Sequence, residues 1–119
     1  MMRAGLTRLL QGYADIELLG AVADGSEAVS ACEHGAPDVI LMDLEMPVMD
    51  GIEATRRIIT GRPQTRIVVL TSFADGDRIL SAVDTGACGY LLKDAEPDEL
   101  VGGIRAARQR PPRRSQPGR

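Results

Sequence analysis

Apolar residues along this chain occur either at three- and four-residue spacing or in unbroken runs. Leu6, Leu9 and Leu10 stand at i, i+3 and i+4 and predict a short amphipathic helix over about 3–12. Ile16 to Val22 is apolar except for Glu17 and predicts a strand. Asp24-Gly25 predicts a turn and Ser26 a helix cap. Ala28, Val29, Ala31 and Cys32 form the apolar face of the helix that follows. That helix stops at Gly35-Ala36-Pro37, because proline disfavours helical backbone in the residue before it. Val39-Ile40-Leu41-Met42 is unbroken and ends abruptly at Asp43. A loop from Leu44 to Gly51 leads into a helix over about 51–60, carrying Ile52, Ala54, Thr55, Ile58 and Ile59. Ile67-Val68-Val69-Leu70 is a second unbroken run, closed by Thr71-Ser72. The helix over about 75–84 buries Ile79, Leu80 and Val83, and Gly86 ends it. Tyr90-Leu91-Leu92 closes a further strand at Lys93. Pro97 opens the last helix, faced by Leu100, Val101, Ile104 and Ala107. Gly102 and Gly103 weaken that helix by about 1 kcal/mol each, which close packing on a sheet would explain.

Strands that alternate with helices, and that are apolar on both faces, predict an α/β domain. Its core is a doubly wound parallel sheet with helices on both sides. Four strands are countable, and the first element is a helix, where such chains normally open on a strand.

Composition narrows the picture. The 119 residues make one domain, residues 1–107, with a tail over 108–119. Aromatics are limited to Tyr13, Phe73 and Tyr90, so the core is built from Leu, Ile, Val, Met and Ala. The net charge of −3 conceals an asymmetry. Five of the 14 basic residues lie in 108–119, leaving nine against 17 acids in the body, a net −8. An acidic body argues against nucleic-acid binding by the folded part. The Pro- and Arg-rich tail reads as a linker or disordered end. Cys32 and Cys88 lack metal-ligand spacing and read as thiols in a reducing cytoplasm. No apolar run approaches the ~20 residues of a membrane span.

Open parallel sheets bind ligands beyond the carboxyl ends of their strands. Three strands end there in polar residues: Asp43, Thr71 with Ser72, and Lys93. Neighbouring strands lie about 4.8 Å apart, so these ends can share one small site. A strand-end carboxylate can attack a phosphoryl group, and a lysine and a hydroxyl can meet the charge of its oxygens. There is no Gly-rich loop for a nucleotide polyphosphate, and His34 reads as a surface residue. Each residue alone has a plain explanation, with Asp43 as a turn former and Lys93 as a surface lysine.

Three stretches resemble the bacterial response-regulator receiver domain, the kind that precedes a LuxR/NarL-class helix-turn-helix. They are Asp38 to Gly51, Val69 to Ser72, and Gly86 to Asp94, and the helix from Arg3 to Leu10 resembles the first helix of that subfamily. The resemblance spans about residues 3–107. It implies a flavodoxin-like, CheY-like fold and a phosphoryl-accepting switch of a two-component system. Asp43 matches the phosphoacceptor, which also ligates Mg²⁺, and Glu45 the residue whose backbone carbonyl helps hold that ion. Thr71 matches the switch hydroxyl, Lys93 its partner lysine, and Tyr90 the aromatic that moves inward on activation. Pro47 and Gly51 match the shape of the loop beyond the acceptor. The implied partners are a histidine kinase and an output domain that contacts DNA.

The chain also departs from this pattern. Family members open on a strand ending in an acidic pair that binds Mg²⁺, and no Asp or Glu occurs here before Asp15. The expectations are a receiver fold missing its first strand, Mg²⁺ binding that is weak or absent, and impaired phosphorylation. Unpaired apolar edges further predict a dimer or larger assembly. Two alternatives stay open: a phosphorylation-independent dimerisation module, and a phosphatase that forms an aspartyl phosphate. A conventional enzyme is not expected, nor is a membrane partner.

Overall fold

A computed structural model describes residues 3–35, 37–46, 48–72 and 76–109. Pro47 and tail residues 110–119 lie outside the described residues, and with them the roles expected of each. The elements run α1 (Arg3–Gln11), α2 (Gly25–His34), β1 (Val39–Asp43), α3 (Gly51–Gly61), β2 (Arg66–Thr71), α4 (Gly76–Thr85), β3 (Gly89–Leu92) and α5 (Pro97–Gln109).

The sheet is parallel, in the order β1-β2-β3. Central β2 is fully covered: Ile67, Val68 and Val69 are buried, because helices take both faces. Ile67 and Val69 join Met42, Leu44, Ala54, Ile58, Ala82 and Ala87 in one core under α2, α3 and α4. Val68 points the other way, toward the side covered by α5, whose Leu100, Val101 and Ala107 are buried. This is the expected α/β architecture with helices on both faces.

The number of strands differs from the expectation. Residues 16–22 form no strand, and three strands pair among the described residues, not four. A strand exists by trading N–H and C=O groups with a neighbour, and none of the described strands lies beside 16–22. The segment therefore follows an irregular course with Leu19 and Val22 exposed. It is tethered at its start, where Arg105 of α5 donates from Nε and Nη2 to the Asp15 carboxylate, both at 2.9 Å, and covers the Tyr13 ring.

Helix boundaries follow local chemistry. Asp24, not Ser26, caps α2: its carboxylate accepts from the Glu27 N–H at 2.9 Å, while Glu27 reaches back to the Ala23 N–H at 2.7 Å. Asp50 caps α3 in the same way through Glu53 N–H. α4 buries Ala82 and half-buries Ile79 and Val83, but Leu80 is turned out to solvent, contrary to the expected face. Gly86 closes α4 at φ +137°, with Gly86 N–H donating to Val83 O and Ala87 N–H to Ala82 O. These two bonds form the Schellman closure that a glycine permits. Of the paired glycines in α5, Gly103 alone is closely packed. A Cβ there would lie 2.8 Å from a Leu91 methyl, whereas one at Gly102 would meet nothing.

Candidate functional site

Each strand end contributes one side chain, and the register brings them together. Asp43 pairs with Leu70, so β2 extends one position beyond β1, and Thr71 pairs with Leu92, the last residue of β3. The ladder continues past both strands: Leu44 N–H donates to Leu70 O at 2.9 Å, and Lys93 N–H to Thr71 O at 2.8 Å. Lys93 is thus held by the backbone beside Thr71, and its ammonium lies 2.9 Å from Asp43 Oδ1. The trio read from the strand ends forms one cluster.

The side chain of Glu45 completes it. Glu45 N–H donates to Asp43 Oδ1 at 2.8 Å, which folds the chain back over the strand end. The Glu45 carboxylate then accepts from Lys93 Nζ at 3.1 Å, from Ser72 Oγ at 3.1 Å and, at a longer 3.4 Å, from Thr71 Oγ1. Burial pushes the Glu45 pKa up, but the Lys93 and Ser72 hydrogen bonds outweigh it and hold it below the usual carboxylate value. Burial likewise opposes the charged form of Lys93, and its bonds to Asp43 and Glu45 prevail, keeping it above the ordinary lysine value. Thr71 is buried, while Lys93, Asp43 and Glu45 remain a quarter to two-fifths exposed.

The loop beyond Asp43 is clamped by backbone. Gly51 N–H donates to Leu44 O, and a Cβ on Gly51 would overlap the Asp43 carbonyl oxygen. Gly25 N–H donates to Met49 O at 3.2 Å, and a Cβ there would overlap that same Met49 oxygen. Arg78 of α4 adds a third hold, donating from Nη2 to Leu44 O at 3.0 Å. Tyr90 stands apart from the cluster: it sits opposite Val69 in the ladder and is half exposed. His34 is exposed on α2, its Nδ1 3.0 Å from Ser30 O.

The family resemblance assigns Glu45 only a backbone carbonyl and says nothing of Arg78. The +2 spacing of Glu45 from Asp43 was the available signal for its side chain; for Arg78 there was none, since its partner is 34 positions away.

Receiver domains typically use Mg²⁺, a hard ion that takes about six oxygen ligands. Among the described residues no group of three or more His, Cys, Asp or Glu could hold a metal. The two carboxylates at the strand end, Asp43 and Glu45, are both bound to Lys93. That ammonium already offsets their charge, and two carboxylates alone are a poor donor set for the ion. No helix among the described residues is long and apolar enough to cross a membrane.

Comparison with known proteins shows the family. The chain is 45% identical over 113 residues to the transcriptional regulatory protein LiaR of Bacillus subtilis, covering 95% of this chain and 54% of that one. It is 38% identical over 106 residues to the response regulator UvrY of Escherichia coli, covering 89% and 49%. The chain therefore spans about half the length of these curated relatives. Among solved structures, a LuxR-family two-component response regulator from Aurantimonas superposes with a TM-score of 0.85 at 33% identity, covering 94% of this chain and 80% of that one. The response regulator domain of Thermotoga maritima CheB superposes at 0.84 and 30% identity, covering 93% and 90%. The response regulator receiver domain matches residues 1–105, and with the strand-end cluster in place, this chain belongs to that family.

Proposed function

We propose that the chain is the phosphoryl-accepting switch of a two-component system, loaded on Asp43 by a histidine kinase. The observation that carries this is the Lys93 ammonium 2.9 Å from Asp43 Oδ1, with the Thr71 hydroxyl in the same cluster. In the step, an Asp43 carboxylate oxygen forms a bond to phosphorus as the P–N bond of the kinase phosphohistidine breaks. The imidazole leaves with that electron pair and takes a proton from solvent, and Asp43 becomes an acyl phosphate. Lys93 supplies a point charge to the transferred oxygens and Thr71 a directional hydrogen bond. Thr71 and Tyr90 then shift together and change the face formed by α4, β3 and α5. The switch works by biasing two pre-existing arrangements. An output domain beyond residues 1–107 carries any DNA contact, 108–119 serves as the tether, and the protein works in the cytoplasm.

Phosphorylation is impaired in this chain, because the carboxylates at hand do not make a Mg²⁺ site, and Mg²⁺ binds weakly or not at all. The Glu45 carbonyl is the other ligand that the family's pattern offers. Treatment with a small phosphodonor plus Mg²⁺, followed by intact-mass measurement, gives slow and partial addition of one phosphoryl, and Asp43→Asn gives none. Rapid, complete addition overturns the impairment; equal addition to Asp43→Asn overturns the acceptor assignment.

A second function, a phosphorylation-independent dimerisation module, is favoured by one observation. β1 lies at an edge of the described sheet, and elsewhere in the chain Leu19 and Val22 are exposed. We propose a homodimer or larger assembly through this edge. A monodisperse monomer at high concentration, by solution mass measurement, overturns it. A phosphatase has little support: the acid at +2, Glu45, is bound to Lys93 and two hydroxyls.

A further inference from the structure

We propose that Glu45 is a built-in anion that occupies the oxyanion-binding groups beside Asp43, so that phosphoryl loading requires its displacement. This regulation rests on Asp43 being the acceptor. A tetrahedral phosphoryl group on Asp43 presents oxygens that need donors. The groups placed to serve them are the Lys93 ammonium and the Thr71 and Ser72 hydroxyls, and each already donates to the Glu45 carboxylate. A hydroxyl has one proton to give, so Thr71 and Ser72 cannot serve Glu45 and a phosphoryl oxygen together.

The placement of Glu45 follows from the backbone. Its N–H binds Asp43 Oδ1 at 2.8 Å, which turns the chain at the strand end and sets the two carboxylates on either side of one ammonium. An incoming phosphoryl group therefore meets two obstacles of the same sign: occupied donors, and a second negative charge close to its target. The Thr71 hydroxyl stands 3.4 Å from the Glu45 carboxylate, the loosest of the three contacts.

Glu45→Gln keeps the size of the side chain and removes its charge. The full chain and this variant are compared with phosphoramidate as the donor and intact mass as the readout, and the variant should be labelled faster by about tenfold or more, the equivalent of one charge-assisted hydrogen bond. The Asp43→Asn/Glu45→Gln double variant should not be labelled. Equal rates for the chain and Glu45→Gln, with the label on Asp43, overturn the inference and leave the acceptor assignment standing. If neither is labelled, the Lys93 ammonium signal in ¹⁵N NMR decides on Glu45. Slow proton exchange that is lost in Glu45→Gln supports the bound anion, and an unchanged signal overturns it. Far-ultraviolet circular dichroism checks that the variants are folded.

Discussion

Lys93→Met tests the electrostatics of the strand-end cluster most directly. The substitution keeps the length of the stem and removes the charge that joins Asp43 to Glu45. The pair of contacts is partly solvated, with side chains 25% exposed for Lys93, 36% for Asp43 and 41% for Glu45, so each is worth little more than a surface ion pair. Together they contribute about 1 kcal/mol, which lowers the urea midpoint by ~0.5 M for a domain of this size. The pH dependence is more specific than the magnitude. Glu45 has its folded pKa below its ordinary value of 4.5, so its share of stability is full above that value and is lost as pH falls through the folded pKa. Lys93 has its folded pKa above 10.5, so its share is full below that value and is lost as pH rises through the folded pKa. Urea unfolding of the wild type and Lys93→Met across both windows, at low and high salt, measures the effect. The difference between the two proteins should be largest at mid-range pH, shrink at both extremes, and weaken in 1 M salt. A difference that stays constant with pH would refute the pairing and point to lost packing of the lysine stem.

Three further outcomes are expected. Gly86→Ala should cost about 2–4 kcal/mol, from a positive φ and a Cβ 2.9 Å from Ile59 Cγ1; a double-mutant cycle with Ile59→Ala, which removes both Cγ atoms, would separate the two causes in chemical denaturation. Gly102→Ala should stabilise α5 by about 0.5–1 kcal/mol, whereas Gly103→Ala should gain little or lose, since only the second meets Leu91; thermal melts of both variants compare them. Ile58→Ala, at 3% exposure beneath the sheet, should cost about 2–5 kcal/mol by urea unfolding.

Local chemistry made much of this protein readable. The unbroken runs at 39–42 and 67–70 became β1 and β2 because a strand covered on both faces needs apolar side chains throughout. The polar residue after each run marked the site, since strand ends converge whatever their separation in sequence. What failed was non-local. Residues 16–22 have the composition of a strand, yet strand formation is decided by a neighbour that composition does not reveal. Leu80 satisfied the helical spacing of α4 but lies on its outer side, because Ala82 and Ala87 take the space against the core. The cap at Asp24 was displaced by two residues toward Ser26, as both residue types cap well and only the bond to Glu27 distinguishes them. The Glu45 carboxylate went unseen because a backbone bond to Asp43, not spacing, aims it at Lys93.

The glycine at the head of α3 has a mechanical consequence. With no side chain between them, the first turn of that helix rests on the carbonyl of Asp43 itself, and Leu44 O accepts from both Gly51 and Arg78. α3 therefore bears directly on the main chain at Asp43, while α4 reaches the next carbonyl through the long Arg78 side chain. A shift of a few tenths of an ångström at that peptide has no slack to take it up before α3, so the far end of that rod would answer to a strand end it never touches.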